Sequence, residues 1–413
     1  YNLLVRTDYP IDSDVTFRYD AAGRRITMVD STGTNRWDYD SADRIVTNAQ
    51  MNVRHSVSYI YDIEGNVLSM GLTSFKDNTV CRIDYAYDTD SRLSFIIDHG
   101  VSEAPFHYEW SPISSRPANI SYPSGLQARF AYDILSRNTN ILFVPSQQNM
   151  IAQFAYGHDK DGRRTNETTR MHTDSFVYDN RNQLIAANRF GNAGVQDHLW
   201  KYTFTYDAMG NRHNLSSQYG SSCYNANVVN QYSYVVNTAS NSFAYDSNGN
   251  LTYDGEQYYT YDDTDRLQST TNRNARASFR YDGLGRRVCV VYTDAFMEDR
   301  TEYVYDDTLI IGTYSSNPLR TYMITRGLDL SLRRAQAGGA GGILTVRNIE
   351  QVLQTLSTAR GDVRVLIPVD GFVPQEIDYD PFGTPVQDIT NMQPFGIAGK
   401  EHLRSLGLID FGA

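Results

Sequence analysis

The sequence predicts an all-β protein: tandem hairpins zipped edge to edge into one long spiralling sheet, a hollow shell or tube. Three observations predict it. Tyrosine is in excess, with 31 Tyr against 17 Phe and 3 Trp, and Tyr suits the pleated, half-buried face of a strand. Short segments alternate, as in Tyr202-Thr203-Phe204-Thr205-Tyr206, which is the period of a strand. A Tyr-Asp pair also recurs along most of the chain, with spacings that cluster around roughly 20 to 28 residues, within the range of repeat architectures.

The pairs stand at Tyr19-Asp20, Tyr39-Asp40, Tyr61-Asp62, Tyr87-Asp88, Tyr132-Asp133 and Tyr178-Asp179. They continue at Tyr206-Asp207, Tyr245-Asp246, Tyr261-Asp262, Tyr281-Asp282, Tyr305-Asp306 and Tyr379-Asp380. The residues after each pair are patterned too. Tyr19-Asp20-Ala21-Ala22-Gly23-Arg24-Arg25-Ile26 matches Tyr281-Asp282-Gly283-Leu284-Gly285-Arg286-Arg287-Val288, and other units carry a polar residue where Gly23 and Gly285 stand. Tyr108-Glu109, and Tyr156-Gly157 ahead of Asp161-Gly162-Arg163-Arg164, read as degenerate units.

Each position has a physical reading. Asp at a strand exit accepts backbone N–H bonds and starts a turn. Gly or Asn three residues on supplies the positive φ that the turn needs. Arg or Asn then leads into the Ile, Val or Leu that opens the return strand. One hairpin is marginal alone, so the units must pair into a longer sheet, with the Tyr rings aligned as cross-strand aromatic columns. Twist and exposed edges favour curling of that sheet.

Bulk properties exclude several classes. A net charge of −11 and the absence of a long Lys/Arg run argue against a nucleic-acid partner. Three well-separated cysteines, Cys81, Cys223 and Cys289, suit neither a disulfide framework nor a metal site. The eight His are scattered, so neither a metal nor a cofactor is expected. No apolar run approaches the roughly 20 residues of a membrane span. The chain opens at Tyr1 with neither Met nor a signal-like segment, which reads as an internal fragment.

The Tyr-Asp-x-x-Gly-Arg pattern of these units resembles the YD, or RHS, repeats of bacterial rearrangement-hotspot proteins, toxin-complex C components and wall-associated proteins. The shells of animal teneurins are similar. The C-terminal part strengthens the resemblance. Arg326-Gly327-Leu328-Asp329-Leu330-Ser331, the Gly-rich run 337–344, Tyr379-Asp380-Pro381-Phe382-Gly383, the run 394–401 and Leu406-Gly407-Leu408-Ile409-Asp410-Phe411-Gly412-Ala413 are similar to the beginning of an RHS repeat-associated core. Ile409 stands where Tyr is usual.

The resemblance implies a division into a repeat shell, 1–325, and the start of a truncated core, 326–413. It implies a β-shell enclosing a C-terminal toxin, with a secretion or delivery component as a second partner and a secreted or cell-surface bacterial location. In several family members the core is an aspartyl autoprotease. Its cleavage site and paired elements would follow Ala413, so this stretch is expected not to cut itself and is not read as an enzyme. One departure from the family pattern is Asn348-Ile349-Glu350-Gln351-Val352-Leu353-Gln354-Thr355-Leu356, whose apolar spacing suits a short helix near 348–357. A strand over 363–369, a turn at Asp370-Gly371 and a strand over 372–379 come next as a hairpin.

Residues with possible chemistry have plainer readings. Asp88-Thr89-Asp90, Asp262-Asp263-Thr264-Asp265 and Asp159-Lys160-Asp161-Gly162 lack the spacing and closing Glu of a Ca²⁺ loop and read as turns. The Gly338–Gly342 run lacks the Gly-Lys-Ser/Thr ending of a phosphate loop. Arg360-Gly361-Asp362 reads as a loop, and the sequons at Asn119, Asn166, Asn214 and Asn250 matter only in a secretory eukaryote. Asp410 is the single carboxylate with a candidate catalytic role, although an aspartyl mechanism needs a second one beside it. Two functions remain: a shell protecting a toxin cargo, and a surface adhesion protein whose Tyr residues and Trp110 or Trp200 stack on carbohydrate.

Overall fold

The computed structural model describes residues 3–75, 78–145, 150–191, 194, 196–237, 240–333, 339–370, 374–381, 383–385, 394–403 and 406–410. From Arg6–Thr7 to Ser240–Ser242, each strand pairs antiparallel with the next in sequence, giving a 22-stranded meander. A 13-stranded meander runs in the same way from Ala244–Tyr245 to Gln375–Glu376. One stretch, 240–245, joins them. Its first half pairs back to Tyr232–Val236, its second half pairs forward to Leu251–Tyr253, and the Phe243 N–H donates to the Ser233 carbonyl at 3.0 Å between them.

The alternation of the sequence explains the strands. In Val15–Tyr19, Val15 and Phe17 are buried while Thr16 and Arg18 face solvent. In Gly33–Tyr39, Asn35 and Trp37 are buried between exposed Arg36 and Asp38. At almost every Tyr-Asp turn the pairing register slips at the Tyr itself, as between Arg18 and Tyr19 or Arg280 and Tyr281. Such a bulge bends a strand and increases its twist, so repetition at every second connection makes the wall curve.

The wall coils onto itself. The Ile11 and Asp12 N–H groups donate to Asp263, Gly283 N–H donates to Asp30, and Gln50 pairs with the backbone of Tyr305. Further on, Ser124 bonds Gln354, Ala359 N–H donates to the Tyr156 hydroxyl, and Arg364 reaches Glu167. The partners advance together along both stretches, so the second meander follows the first as the next turn of a spiral. Sequence separation across the seam is 251 to 255 residues at its start and falls to 230, 203 and 189. Residues 263–378 thus overlie 12–189 with a shorter stretch of chain, and the spiral tapers.

The main core lies between the turns. Val57, Leu72, Ile96, Phe106 and Phe143 of the first turn share one cluster with Val304, Leu344, Leu356 and Val365 of the second. Full burial of side chains of this size stabilises by about 1.5–3 kcal/mol each, so the interturn core is a major source of cohesion.

The helix expected near 348–357 is a correction. Asn348 makes a side-chain turn, accepting from Glu350 N and Gln351 N at 2.9 and 3.0 Å, and Val352–Ser357 is a strand. That strand has neighbours on both faces, with Leu353, Gln354, Thr355 and Leu356 all buried. Its pattern of apolar residues therefore never shows the alternation of a half-exposed strand. The next hairpin is present as Val363–Pro368 paired with Gln375–Glu376. Gly371, Phe372 and Val373 of that expectation, together with residues 337–338, Phe382 and 411–413 of the C-terminal motifs, lie outside the described residues.

Candidate functional site

The Tyr-Asp turns line one rim of the wall. In the first, Asp20 N–H donates to the Arg24 carbonyl at 3.0 Å, and the Asp20 carboxylate accepts from Ala22 N, Arg24 N and Arg24 Nε at 3.0, 2.9 and 2.7 Å. The same main-chain and carboxylate bonds recur at Asp40, Asp62, Asp88, Asp133, Asp179, Asp207, Asp246, Asp262 and Asp282. The third residue after Asp always has positive φ, from 57° at Ser91 to 95° at Gly65. Gly23 and Gly285 occupy that position without a Cβ penalty, and Asp43, Asn182 and Asp265 tolerate it. The backbone N–H of Arg24, Arg44 and Arg137 foremost holds the carboxylates of Asp20, Asp40 and Asp133 below their ordinary pKa.

Arg and Tyr tie one turn to the next. Arg24 grips Asp20 through Nε, donates through Nη1 to the Asp40 carbonyl, and lies 4.9 Å from the centre of the Tyr39 ring. Arg44 does the same to Asp62 and Tyr61, Arg163 to Asp179 and Tyr178, and Arg266 to Asp282 and Tyr281. Each Tyr hydroxyl donates to a carbonyl one hairpin back: Tyr39 to Arg25, Tyr61 to Ile45, Tyr87 to Val67, Tyr132 to Pro117 and Tyr206 to Leu184. Tyr19, Tyr245, Tyr261, Tyr281, Tyr305 and Tyr379 repeat this bond. The expected aromatic columns are thus interleaved with guanidinium groups, because an Arg on the preceding hairpin covers Tyr faces such as these.

Two degenerate units are corrected. Tyr108 and Tyr156 are buried core residues two positions short of their turns. The turns belong to Trp110-Ser111, where the indole N–H takes the Tyr role by donating to the Leu93 carbonyl, and to His158-Asp159. Asn227, Asp329 and Thr358 start equivalent turns that no Tyr-Asp pair announces. Asp306 departs from the pattern. It pairs directly with Leu309 and accepts from the Tyr59 hydroxyl of the first turn at 2.6 Å. Asp380 keeps the turn bond, donating to Thr384 O at 2.8 Å.

A second group of charges sits on the seam and has no sequence signal, because its members are nearly 200 residues apart. Arg189 grips both oxygens of Asp174 at 2.7 and 2.9 Å and reaches Asp378 of the second turn at 3.1 Å. Arg364 joins Asp378 to Glu167, and Glu167 also takes Arg164 at 2.7 Å. Burial pushes the Asp174 pKa up, but the Arg189 hydrogen bonds and the His172 ring 3.6 Å away outweigh it and hold the group down. A cavity of about 300 Å³, lined by Phe154, His172, Arg189, Arg364 and Asp378 among others, opens beside the cluster. Opposite charges face each other throughout this cluster, which makes it a clamp between turns.

Asp410 lies on Leu408–Asp410, whose backbone pairs with Glu401–Leu403 so that Asp410 stands opposite Glu401. Glu401 is buried, ion-paired with Arg287, and accepts from the Tyr303 hydroxyl at 3.1 Å. Among the described residues, no group of three or more His, Cys, Asp and Glu is arranged to hold a metal ion, and no helix is long and apolar enough to cross a membrane.

A tapering coil of antiparallel hairpins, riveted along one rim by Tyr, Asp and Arg, defines a β-shell protein. The teneurin YD-shell family model matches residues 114–412, and the chain belongs to that family. It is 27% identical over 216 residues to the tRNA3(Ser)-specific nuclease WapA of Bacillus spizizenii, spanning 50% of this chain and 9% of that protein. It is 33% identical over 121 residues to the tRNA nuclease WapA of Bacillus subtilis, spanning 28% and 5%. The fold is similar to the TcdB2-TccC3 crystal structure, with a TM-score of 0.61 at 14% identity over 99% of this chain and 26% of that one. A similar match, TM-score 0.58 at 14% identity, is found with the Photorhabdus luminescens Tc holotoxin pore, over 97% and 25%. The chain therefore spans under a tenth of its curated relatives and about a quarter of these solved chains.

Proposed function

We propose that this coil is wall and closing end of a shell that holds a C-terminal toxin domain away from its surroundings until a delivery component releases it, in bacterial competition or host attack. The observation that carries the reading is the taper: a second turn shorter than the first narrows one end of a hollow coil. The WapA nucleases and Tc toxins to which the chain is similar supply the cargo class. In this reading residues 1–325 serve as repeat wall, 326–413 as the start of a core region, and the wall acts sterically, outside the cytoplasm, without catalysis of its own.

Surface recognition of carbohydrate has less support. Trp200 is 4% exposed, and Arg92 lies over the half-buried Trp110 ring at 5.4 Å, which leaves little aromatic face for stacking. The shell reading is tested by limited proteolysis of the native-length gene product. Sequence beyond residue 413 should survive protease while the wall is folded and be digested once the wall is unfolded. Digestion at the same rate in both states would contradict the reading.

A further inference from the structure

In the Tyr-Asp turns the two carboxylate oxygens have separate duties. One accepts backbone N–H groups, and the other takes the side chain four residues on. Arg24, Arg92 and Arg286 donate through Nε to Asp20, Asp88 and Asp282 at 2.7, 2.8 and 2.9 Å. Asn66, Asn211 and Asn250 bring an amide to Asp62, Asp207 and Asp246 instead. Asp380 heads a turn of the same build, with the Thr384 N–H on Oδ1 at 2.9 Å. Yet its fourth residue is Thr384, which carries neither a guanidinium nor an amide.

Asp380 borders a cavity of about 630 Å³ between the 379–385 turn and the first-turn strands Arg212–Ser217 and Gly220–Ala226. Tyr202, Ser217, Tyr219, Ser221 and Ser222 lie around it, and Asp380 is the one charged residue among those described in its lining. Tyr219 is 74% exposed, so its ring keeps an open face where rim Tyr rings are covered by Arg. Burial, and after it the Asp380 carboxylate and the Tyr219 phenol, push the Tyr202 hydroxyl up to about 12. Both groups therefore stand within electrostatic reach of Tyr202.

A carboxylate beside aromatic faces, with hydroxyl acceptors around it, is a setting that holds a cation. Elsewhere in this chain that cation is a guanidinium. Asp378, two positions earlier, takes Arg189 and Arg364, and Arg189 also lies over the Trp200 ring at 4.4 Å. A planar fork meets a carboxylate with two bonds and lies flat on a ring, which a compact ammonium does not. A net charge of −11 draws cations to the wall.

We propose that the cavity beside Asp380 binds a guanidinium cation, either the arginine side chain of a peptide segment or a small free guanidinium compound. Asp380 is its anion and Tyr219 its stacking face, so the ligand stands to Asp380 as Arg24 stands to Asp20. The inference is independent of whether the wall encloses a cargo.

Titration calorimetry of the 413-residue chain tests it. The probes are acetyl-Gly-Arg-Gly amide, its citrulline and lysine counterparts, and ethylguanidinium. The Arg peptide should bind saturably, and the neutral citrulline peptide at least about tenfold more weakly. Asp380→Asn, which keeps the Oδ1 acceptor of the turn, should weaken the Arg peptide by about tenfold. Tyr219→Ala should weaken it by about threefold, with the urea midpoint unchanged because the ring is exposed. Binding of ethylguanidinium as tight as that of the peptide assigns the cavity to free guanidinium compounds. A clear preference for the peptide assigns it to a protein segment, and either result supports the proposal. Absence of saturable binding by both guanidinium probes would overturn it. So would equal binding of the citrulline or lysine peptide, or an affinity that both substitutions leave unchanged.

Discussion

The Gln50 side chain exchanges two hydrogen bonds with the backbone of Tyr305, its amide donating to the carbonyl at 2.6 Å and its oxygen accepting from the N–H at 3.1 Å. All of these groups are buried, and Gln50 is 1% exposed. The pair copies a strand ladder across 255 residues of sequence and joins a turn of the first coil to a Tyr-Asp turn of the second.

Gln50→Leu keeps the volume and removes both partners. Two buried backbone groups lose their bonds, at about 1–3 kcal/mol each. The urea midpoint should fall, and hydrogen exchange at Tyr305 should quicken while exchange at the rim bonds of Asp133 stays unchanged. An unaltered rate at Tyr305 would count against the seam.

Gly283→Leu tests the same contact sterically. The side chain would collide with Val15 and Met28, and the φ of Gly283 is not in the positive region, so the effect is purely one of space. Limited proteolysis should then open residues 8–14, while cleavage between strands of the first meander stays as in the wild type.

The rim pairs differ in worth by burial. The Asp282 side chain is fully buried and accepts two bonds from Arg286 at 2.9 and 2.6 Å. Arg286→Ala leaves that charge poorly paired, and a loss of about 3–5 kcal/mol is expected. Arg24→Ala, at an exposed turn, should cost far less. Urea melts of both variants measure the contrast, and equal losses would refute it.

Acid should loosen the rim. Asp20, Asp40 and Asp133 have folded pKa values below the ordinary value, foremost through backbone N–H bonds. The unfolded chain therefore binds protons first, so this stabilisation is complete above about pH 4 and is lost as pH falls through the folded values. His99, raised by Asp84 and Glu103, contributes with the opposite sign: its stabilisation is full below about pH 6.5 and is lost as pH rises through its folded value. Urea midpoints from pH 5 down to pH 2 should decline steeply below pH 4. A rise over that interval would contradict the account.

Much of the rim was legible because its chemistry is local. Asp20, the positive-φ residue and Arg24 lie within five positions, and their spacing announces a turn. The units that escaped, at Ser111, Asn227 and Thr358, use other side chains for the same bonds. Tyr108 misled because alternation puts residues two apart on one strand face, so a core Tyr mimics a rim Tyr. The strand Val352–Ser357 misled because burial on both faces erases the period that separates strand from helix. The seam lay beyond reach altogether, since nothing near Arg189 in sequence points to Asp378.

The coil itself is tested most directly by the distance between spin labels at Ser31 and Leu284. Arg280 donates to the Ser31 carbonyl at 2.6 Å and Gly283 to Asp30 at 2.7 Å, so the labels should lie at the shortest end of the measurable range. A wall that ran on without stacking would place 24 strands between them, from Gly33–Tyr39 to Ala275–Tyr281, about 115 Å along the wall at roughly 4.8 Å each. A distance of that order would contradict the account.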